Sequence, residues 1–189
     1  MNFFKRLIDL ILVLLLTTVL IVPMLCIAVS IRLSSKGPAI YWSRRVGYLN
    51  QIFLMPKFRS MKIDTPAVAT HLLLNPDQHL TFIGRVLRRT SLDELPQLWS
   101  IFKGDMSLVG PRPALFNQAD LIELRTQCGI DALVPGLTGW AQVNGRDDLD
   151  ITTKVDLDYE YLQRRSFVFD LKILWLTFIK VIRSDGVAY

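Results

Sequence analysis

The sequence predicts an α/β protein that is mostly helical, with a small β-sheet or hairpin and an N-terminal helix inserted in a membrane. Three observations lead to this fold class. An almost uninterrupted apolar run extends from Leu7 to Leu33, two short runs of strand-forming residues lie between Ala39 and Met61, and the rest contains several segments with helical spacing of apolar residues. The chain has 189 residues, 51% of them hydrophobic, which suits one domain together with a membrane element.

The apolar segment is long enough to cross a bilayer. About 20 apolar residues in a helix span the hydrocarbon core, whereas Leu7–Leu33 is longer and carries a single acidic residue, Asp9. A cleaved signal peptide is the competing interpretation, because Lys5 and Arg6 precede the apolar run. The run is long for a signal peptide and no small-residue cleavage site follows it, so we expect a retained membrane helix.

Two features of this segment bear on its topology. Pro23 lies near its middle, where it removes the helix hydrogen bond to the carbonyl of Val19 and favours a bend. Basic residues flank the segment on both sides: Lys5, Arg6, Arg32 and Lys36. Because the positive-inside rule favours the cytoplasm for both flanks, a helix that enters one leaflet, bends at Pro23 and returns is one interpretation. An ordinary kinked span is the other.

The remainder of the chain is predicted from the period of its apolar residues. A turn is expected at Tyr48–Asn50, between the two strand-forming runs. Helices are expected over Asp93–Phe102, Ala114–Cys128, Ile151–Arg164 and Phe167–Ile182. The last of these combines apolar residues on more than one face with Lys172 and Lys180, which is typical of a helix lying in a membrane interface. A buried core helix is the alternative interpretation.

Charge and cysteine content narrow the class of partner. The net charge of +5 and the pI of about 9.4, combined with an apolar anchor, favour anionic partners such as lipid headgroups, phosphates or nucleotides. No nucleic-acid-binding motif or stacking platform is present, so we expect no nucleic acid as partner. Cys26 lies in the apolar run and Cys128 in a polar stretch, which argues against a disulfide and favours a reducing compartment.

Two adjacent carboxylates, Asp93 and Glu94, are the strongest candidates for chemistry. They lie at the start of a predicted helix, where free N–H groups and the helix dipole favour anions. Arginines occur on both sides of them in the sequence, Arg88 before and Arg112 after, and arginine can hold phosphate oxygens in bidentate fashion. This combination suits phosphoryl transfer. The alternative is structural, since Ser91 and Glu94 have the spacing of a capping box.

Other charged residues are candidates for the same site. Lys57 lies in a short strand-like run, Arg112 is flanked by two prolines, and Arg146 follows a glycine. Asp158, on the predicted long helix, adds a further carboxylate. Each of these taken alone is more simply explained as surface charge. The sequence contains no Walker-type loop and no GxGxxG motif, so a nucleotide would have to be bound by a different arrangement of residues.

Together these motifs resemble the bacterial sugar transferase family, and in particular its small monotopic phosphoglycosyl transferases. The matching motifs are KFRSM at Lys57–Met61, RRTSLDELPQLWSIFKGDMSLVGPRP at Arg88–Pro113 and PGLTGWAQVNGR at Pro135–Arg146. The apolar segment with Pro23 and the aromatic last helix also match, so the resemblance extends over nearly the whole chain.

The resemblance implies a reaction. A UDP-sugar binds with Mg²⁺, which Asp93 helps to hold, and the Asp93 carboxylate attacks the β-phosphate and displaces UMP. The resulting aspartyl phospho-sugar is transferred to polyprenol phosphate, usually undecaprenyl phosphate, and Glu94 assists. The lipid-linked product starts glycan and polysaccharide assembly, so glycosyltransferases that act downstream are expected partners. Small members of the family suggest an N-acetylated amino-deoxy hexose as the sugar.

The resemblance also implies roles and a location. Lys57, Arg88, Arg112 and Arg146 are expected to bind phosphates or the nucleotide, and Asp158 matches a further acidic position. Residues 1–36 are expected to form a re-entrant helix and 37–189 a cytoplasmic catalytic domain with interfacial helices, on the cytoplasmic face of the bacterial inner membrane and in contact with its lipids.

The chain departs from the family pattern at the bend of the apolar segment. The family often has Ser-Pro at the bend, whereas this chain has Val22-Pro23, and Thr17 or Thr18 is expected to compensate in part. The alternative function is a non-catalytic, membrane-anchored basic module that binds anionic lipid or a partner protein.

Overall fold

The protein is mostly helical, as a computed structural model that describes residues 3–66, 76–145 and 149–183 shows. The helices are α1 Phe3–Ser34, α2 Pro76–His79, α3 Phe82–Arg89, α4 Leu98–Lys103, α5 Ala119–Gln127, α6 Trp140–Asn144, α7 Ile151–Arg164 and α8 Phe167–Arg183. The strands are β1 Ile40–Val46, β2 Ile52–Phe58, β3 Ser107–Val109 and β4 Gly136–Thr138. The predicted fold class is confirmed.

The strands form two separate pairs. Strands β1 and β2 are antiparallel, with Ile40 opposite Phe58 and Val46 opposite Ile52. The predicted turn between them is a single turn of 3₁₀-helix at Tyr48–Asn50. Strands β3 and β4 form a short parallel pair that the sequence did not predict, because three residues are too few to show a period of two.

Helix α1 is one helix of 32 residues with Pro23 inside it. It is long and apolar enough to cross a membrane, and most of its middle is exposed, including Leu15, Val19 and Val22. The hydroxyl of Thr18 donates a hydrogen bond to the carbonyl of Leu14 at 2.9 Å. Thr18 therefore does not bond to the Val19 carbonyl that Pro23 leaves free, whereas compensation by Thr17 stays a prediction.

The beginning of α1 is bound to the globular part of the chain by charged side chains. Lys5 Nζ lies 2.5 Å from Asp170 Oδ2 on α8. Arg6 donates to the carbonyls of Ile101 at 2.5 Å and Phe102 at 2.8 Å, at the C-terminal end of α4 where unpaired carbonyls favour a cation. These contacts attach the N-terminal end of α1 to two other helices.

Asp9, the acidic residue of the apolar run, is buried rather than exposed. Its Oδ2 accepts a hydrogen bond of 2.7 Å from the hydroxyl of Ser107 on β3. One turn further along α1, Val13 is part of the main hydrophobic core, together with Ile101, Met106 and Ile173. The first third of α1 is thus built into the domain.

The end of α1 contacts the same domain at another place. Ile31 is buried in a second apolar cluster with Phe58 at the end of β2 and Leu87 on α3. The guanidinium of Arg59 donates to the backbone carbonyls of Ser35, at 3.0 Å, and of Lys36. Both ends of α1 are therefore held by one domain, while its middle projects from it.

The predicted helices are confirmed to different degrees. Helix α7 covers the predicted range Ile151–Arg164. The helix expected over Asp93–Phe102 is divided into a 3₁₀ segment, Leu92–Gln97, and α4, because Pro96 lacks an N–H and restricts the residue before it. The helix expected from Ala114 begins only at Ala119, since the amide of Leu115 is taken by the Gln118 side chain.

Helix α8 has one buried and one exposed apolar face. Phe169 and Ile173 are buried in the core, whereas Trp175 and Phe178 stack on each other at 5.9 Å on the exposed side. The two interpretations of this helix thus apply to opposite faces: the inner one packs in the core, and the outer one has the composition of a membrane-interface surface.

The two faces predict different responses to truncation. Ile173→Ala should lower the free energy of unfolding by about 2–5 kcal/mol, because it leaves a cavity at a fully buried position. Trp175→Ala, on the exposed face of the same helix, should change it by less than about 0.5 kcal/mol. Thermal melting of the two variants in one detergent measures the difference, and equal losses would contradict this assignment of the faces.

Candidate active site

The carboxylate pair lies in the 3₁₀ segment Leu92–Gln97, beside the end of β2. Ser91, which precedes it, has φ 55° and makes no side-chain capping bond. The capping-box interpretation is wrong, because the Glu94 carboxylate turns to Lys57 and Arg112. The acidic residues of this turn therefore serve tertiary contacts instead of capping a helix.

Glu94 is bound by two cations from distant parts of the chain. Lys57 Nζ, on β2, lies 2.9 Å from Glu94 Oε1. Arg112 reaches both oxygens, with Nη2 at 2.7 Å from Oε1 and Nη1 at 3.5 Å from Oε2, which is the bidentate arrangement that arginine favours. The three side chains are largely buried, and burial lowers the pKa of the Lys57 amine below its ordinary value.

Asp93 is buried within the same group of charges, with 8% of its surface exposed. Burial raises the pKa of the Asp93 carboxyl above its ordinary value, and the charge of Lys57 opposes that rise. The adjacent Glu94 charge raises this pKa further, whereas Arg88 and Arg112 lower it. A carboxylate that is poorly hydrated and surrounded by cations is suited to act as a nucleophile toward a phosphate that those cations bind.

Arg88 is placed by close packing of α3 against the segment after β2. Its Nε donates to the Ser60 hydroxyl at 3.1 Å. A Cβ on Gly84 would lie 1.8 Å from the carbonyl oxygen of Ser60, so only glycine allows this approach. Thr81 caps the helix by accepting a hydrogen bond from the amide of Gly84.

Arg112 lies in a loop whose backbone is held at successive carbonyls. The carbonyls of the two flanking prolines accept hydrogen bonds from the Gly136 amide at 2.9 Å and from Arg45 Nη1 at 3.1 Å. The carbonyl of Arg112 itself accepts one from Arg125 Nη1 at 2.8 Å. The guanidinium that contacts Glu94 thus extends from a fixed backbone.

Asp158 pairs with Arg125 and with none of the cations around Asp93. Its carboxylate is 1% exposed, and its Oδ2 lies 2.5 Å from Arg125 Nη2 and 3.0 Å from Nε. Burial raises its pKa and the Arg125 charge opposes that rise. Arg125 was not predicted from the sequence, because nothing in the spacing of α5 distinguishes it from a surface charge.

The sequence also predicted that Arg146 and a Mg²⁺ ion held by Asp93 belong to this site. Arg146 lies outside the described residues. Within the described ranges, no group of three or more His, Cys, Asp or Glu side chains converges on one point. The donor set fits Mg²⁺ in the mode in which one or two carboxylates and the substrate phosphates share the ion. Asp93 would be its protein ligand, since Glu94 already pairs with Lys57 and Arg112.

Comparison with known proteins identifies relatives over nearly the whole chain. The family model described as bacterial sugar transferase matches residues 1–184. The chain is 41% identical to the uncharacterized sugar transferase EpsL of Bacillus subtilis, over 97% of this chain and 89% of that protein. It is 41% identical, over 79% of its length, to the undecaprenyl-phosphate galactose phosphotransferase of Salmonella typhimurium.

A third relative is the UDP-glucose:undecaprenyl-phosphate glucose-1-phosphate transferase of Escherichia coli, 40% identical over 93% of this chain. The chain spans 34% of the Salmonella protein and 39% of this one. The resemblance seen in the sequence motifs is thereby confirmed, and with it the prediction that the protein is an enzyme. The chain belongs to the bacterial sugar transferase family.

Proposed function

We propose that the enzyme transfers a phospho-sugar from a UDP-sugar to undecaprenyl phosphate, through a covalent intermediate on Asp93, and releases UMP. The observation that carries this proposal is the buried Asp93 carboxylate among Lys57, Arg88 and Arg112. The names of the Salmonella and Escherichia relatives, which contain undecaprenyl phosphate and a sugar phosphate group, support the same reaction class.

The first step is a displacement at the β-phosphorus of the UDP-sugar. A carboxylate oxygen of Asp93 forms a bond to this phosphorus, and the bond to the oxygen that bridges the two phosphates breaks. UMP leaves with the bridging oxygen and its electron pair. The product is an acyl phosphate that carries the sugar on Asp93. Lys57, Arg88 and Arg112 stabilise the charge that builds up on the phosphate oxygens.

The second step returns the enzyme to its starting state. An oxygen of the acceptor phosphate, already ionised at neutral pH because its second pKa is about 6, attacks the same phosphorus. The bond between phosphorus and the Asp93 carboxylate breaks, so the carboxylate is restored and a polyprenol diphosphate sugar is formed. Glu94 keeps Lys57 and Arg112 in place through both displacements.

Magnesium is the expected cofactor. When bound, Mg²⁺ neutralises the charge on the diphosphate and on the leaving UMP. Asp93 would hold it, together with substrate oxygens. Lys57, Arg88 and Arg112 bind and orient the remaining phosphate oxygens.

The topology proposed for α1 is re-entrant, with the catalytic domain on the cytoplasmic face. At about 1.5 Å per residue, the 32 residues of α1 extend about 48 Å, more than the hydrocarbon thickness of about 30 Å. The two ends nevertheless contact one domain, at Asp170 and at Arg59. A helix that crossed the bilayer would place these ends on opposite sides, which supports entry and exit through the same face.

The nucleophile is tested by Asp93→Asn. Transfer of radiolabelled sugar from the UDP-sugar to undecaprenyl phosphate should fall by about 10³-fold or more, because the amide cannot form the acyl phosphate. Acid-quenched wild-type enzyme given UDP-sugar alone should carry one phospho-sugar mass on the Asp93 peptide. The melting temperature of the variant should be no lower than that of wild type, since burial disfavours the ionised side chain.

The matched control for this variant is Asp105→Asn, which removes a carboxylate that pairs with Lys103 at the surface. It should transfer sugar at the wild-type rate. Transfer by Asp93→Asn close to the wild-type rate, or no mass on the quenched peptide, would contradict the covalent route.

The sugar is tested by measuring UMP release from a set of UDP-sugars. The resemblance to small family members favours a UDP-linked N-acetylated amino-deoxy hexose, which should give the highest kcat/KM. UDP-glucose and UDP-galactose are the competing donors, because these sugars occur in the names of the longer relatives. A higher kcat/KM with either of them would replace the N-acetylated sugar in this proposal.

The topology is tested by thiol labelling in sealed inverted membrane vesicles. Asn2→Cys and Lys36→Cys, each made in a Cys26→Ala background, should react with a membrane-impermeant reagent to the same extent. The exposed Cys128 of the catalytic domain is the internal reference for the side on which that domain lies. Protection of one introduced cysteine while the other and Cys128 react would indicate a span.

A further inference from the structure

We propose that the buried ion pair of Arg125 and Asp158 is a positioning device that sets the direction of the Arg112 guanidinium for phosphate binding. This inference rests on the proposed function and extends it to two residues that lie behind the site. Arg125 and Asp158 touch neither Asp93 nor Glu94 in any hydrogen bond or ion pair of the described structure, so they are positioning residues and not catalytic ones.

The guanidinium of Arg125 joins two parts of the fold. Nε and Nη2 donate to Asp158 Oδ2 at 3.0 and 2.5 Å, and Nη1 donates to the carbonyl of Arg112 at 2.8 Å. The planar fork of arginine fixes these directions relative to one another. Helix α7, through Asp158, thereby determines where the Arg112 carbonyl lies.

The pair is difficult to explain as a contribution to stability alone. Asp158 is 1% exposed, and within the described ranges its Oδ1 makes no hydrogen bond. A buried ion pair of this kind costs desolvation energy, and apolar residues of similar volume often serve stability as well or better. Its contact with the backbone of a site residue gives the pair a function that an apolar substitute could not provide.

The Arg112 loop can transmit this contact to the side chain. The carbonyls on either side of it are held by Gly136 and by Arg45, and the flanking prolines limit backbone rotation. The peptide plane that carries the Arg112 carbonyl is therefore the part of the loop whose orientation depends on Arg125. Rotation of this plane redirects the Arg112 side chain, which reaches Glu94 at 2.7 Å.

Arg125→Lys tests the proposal, because a single ammonium group cannot reproduce the three contacts of the fork. The kcat/KM for the UDP-sugar should fall by about 10- to 100-fold, the order of loss that follows from misplacing a phosphate-binding group. In an Arg112→Ala background the same change should cause no further fall, since Arg125 acts through Arg112.

The KM for the UDP-sugar is a second readout. A misdirected Arg112 binds the diphosphate less well, so KM should rise in Arg125→Lys. Loss of stability without misplacement of Arg112 would reduce the amount of folded enzyme and leave KM unchanged.

Val155→Ala is the matched control, since Val155 is buried on α7 one turn before Asp158. It should lower the melting temperature, leave the KM for the UDP-sugar unchanged, and give the same fold-change in kcat/KM with and without Arg112. If Arg125→Lys does not fold, Asp158→Asn replaces it in the double-mutant cycle with Arg112→Ala. The amide oxygen that this substitution introduces can still accept a hydrogen bond from Arg125, but it lacks the negative charge that holds the guanidinium.

Failure of the positioning role and failure of the proposed function give different results in these experiments. Equal fold-losses for Arg125→Lys in the wild-type and Arg112→Ala backgrounds, with an unchanged KM for the UDP-sugar, would overturn the positioning role while turnover still depended on Asp93. Full turnover by Asp93→Asn would overturn the proposed function itself, whatever the outcome of the double-mutant cycle.

Discussion

The ion pairs of Glu94 connect three parts of the chain that are far apart in sequence. Lys57 comes from the β1–β2 hairpin, Glu94 from a 3₁₀ turn and Arg112 from the loop after β3. A buried carboxylate is tolerated only when cations and hydrogen bonds compensate for its lost hydration. The requirement to neutralise the Glu94 carboxylate therefore brings these three segments together. Asp93, the preceding residue, lies close to the two cations that pair with Glu94.

Helix α1 is constrained by the same principle at its N-terminal end. Lys5 and Arg6, which precede the apolar run, and Asp9, which lies within it, each have a polar partner in the globular domain. Charges that would be costly in lipid are thus satisfied by protein, while large apolar residues such as Leu15, Val19 and Val22 are exposed in the middle of the helix. The anchor is consequently an integral part of the catalytic domain's core and not an appended tether.

The sequence predicted what depends on local pattern and missed what depends on tertiary contacts. Helix α7 was predicted residue for residue, because its apolar period is undisturbed by proline or by competing side chains. The capping box failed because Glu94 gains more from two buried cations than from a backbone amide. Arg125 was missed since its partners, Asp158 and the Arg112 carbonyl, come from elements whose proximity no local period records.

The burial of the Asp93 carboxylate costs hydration energy, and the proposed role of Asp93 as a nucleophile explains why that cost is tolerated. A fully hydrated carboxylate would be a weak nucleophile toward a phosphate, because water and its own charge both oppose the approach of an anion. Burial removes water from Asp93, at a cost that its raised pKa expresses, and the surrounding cations would attract the phosphate of the proposed substrate. The same cations oppose the rise in the pKa of Asp93 that burial causes. Burial and the cations therefore act on the pKa of Asp93 in opposite directions, and the hydrogen-bonded backbone of Arg112 would keep one of these cations in place when the proposed diphosphate substrate binds.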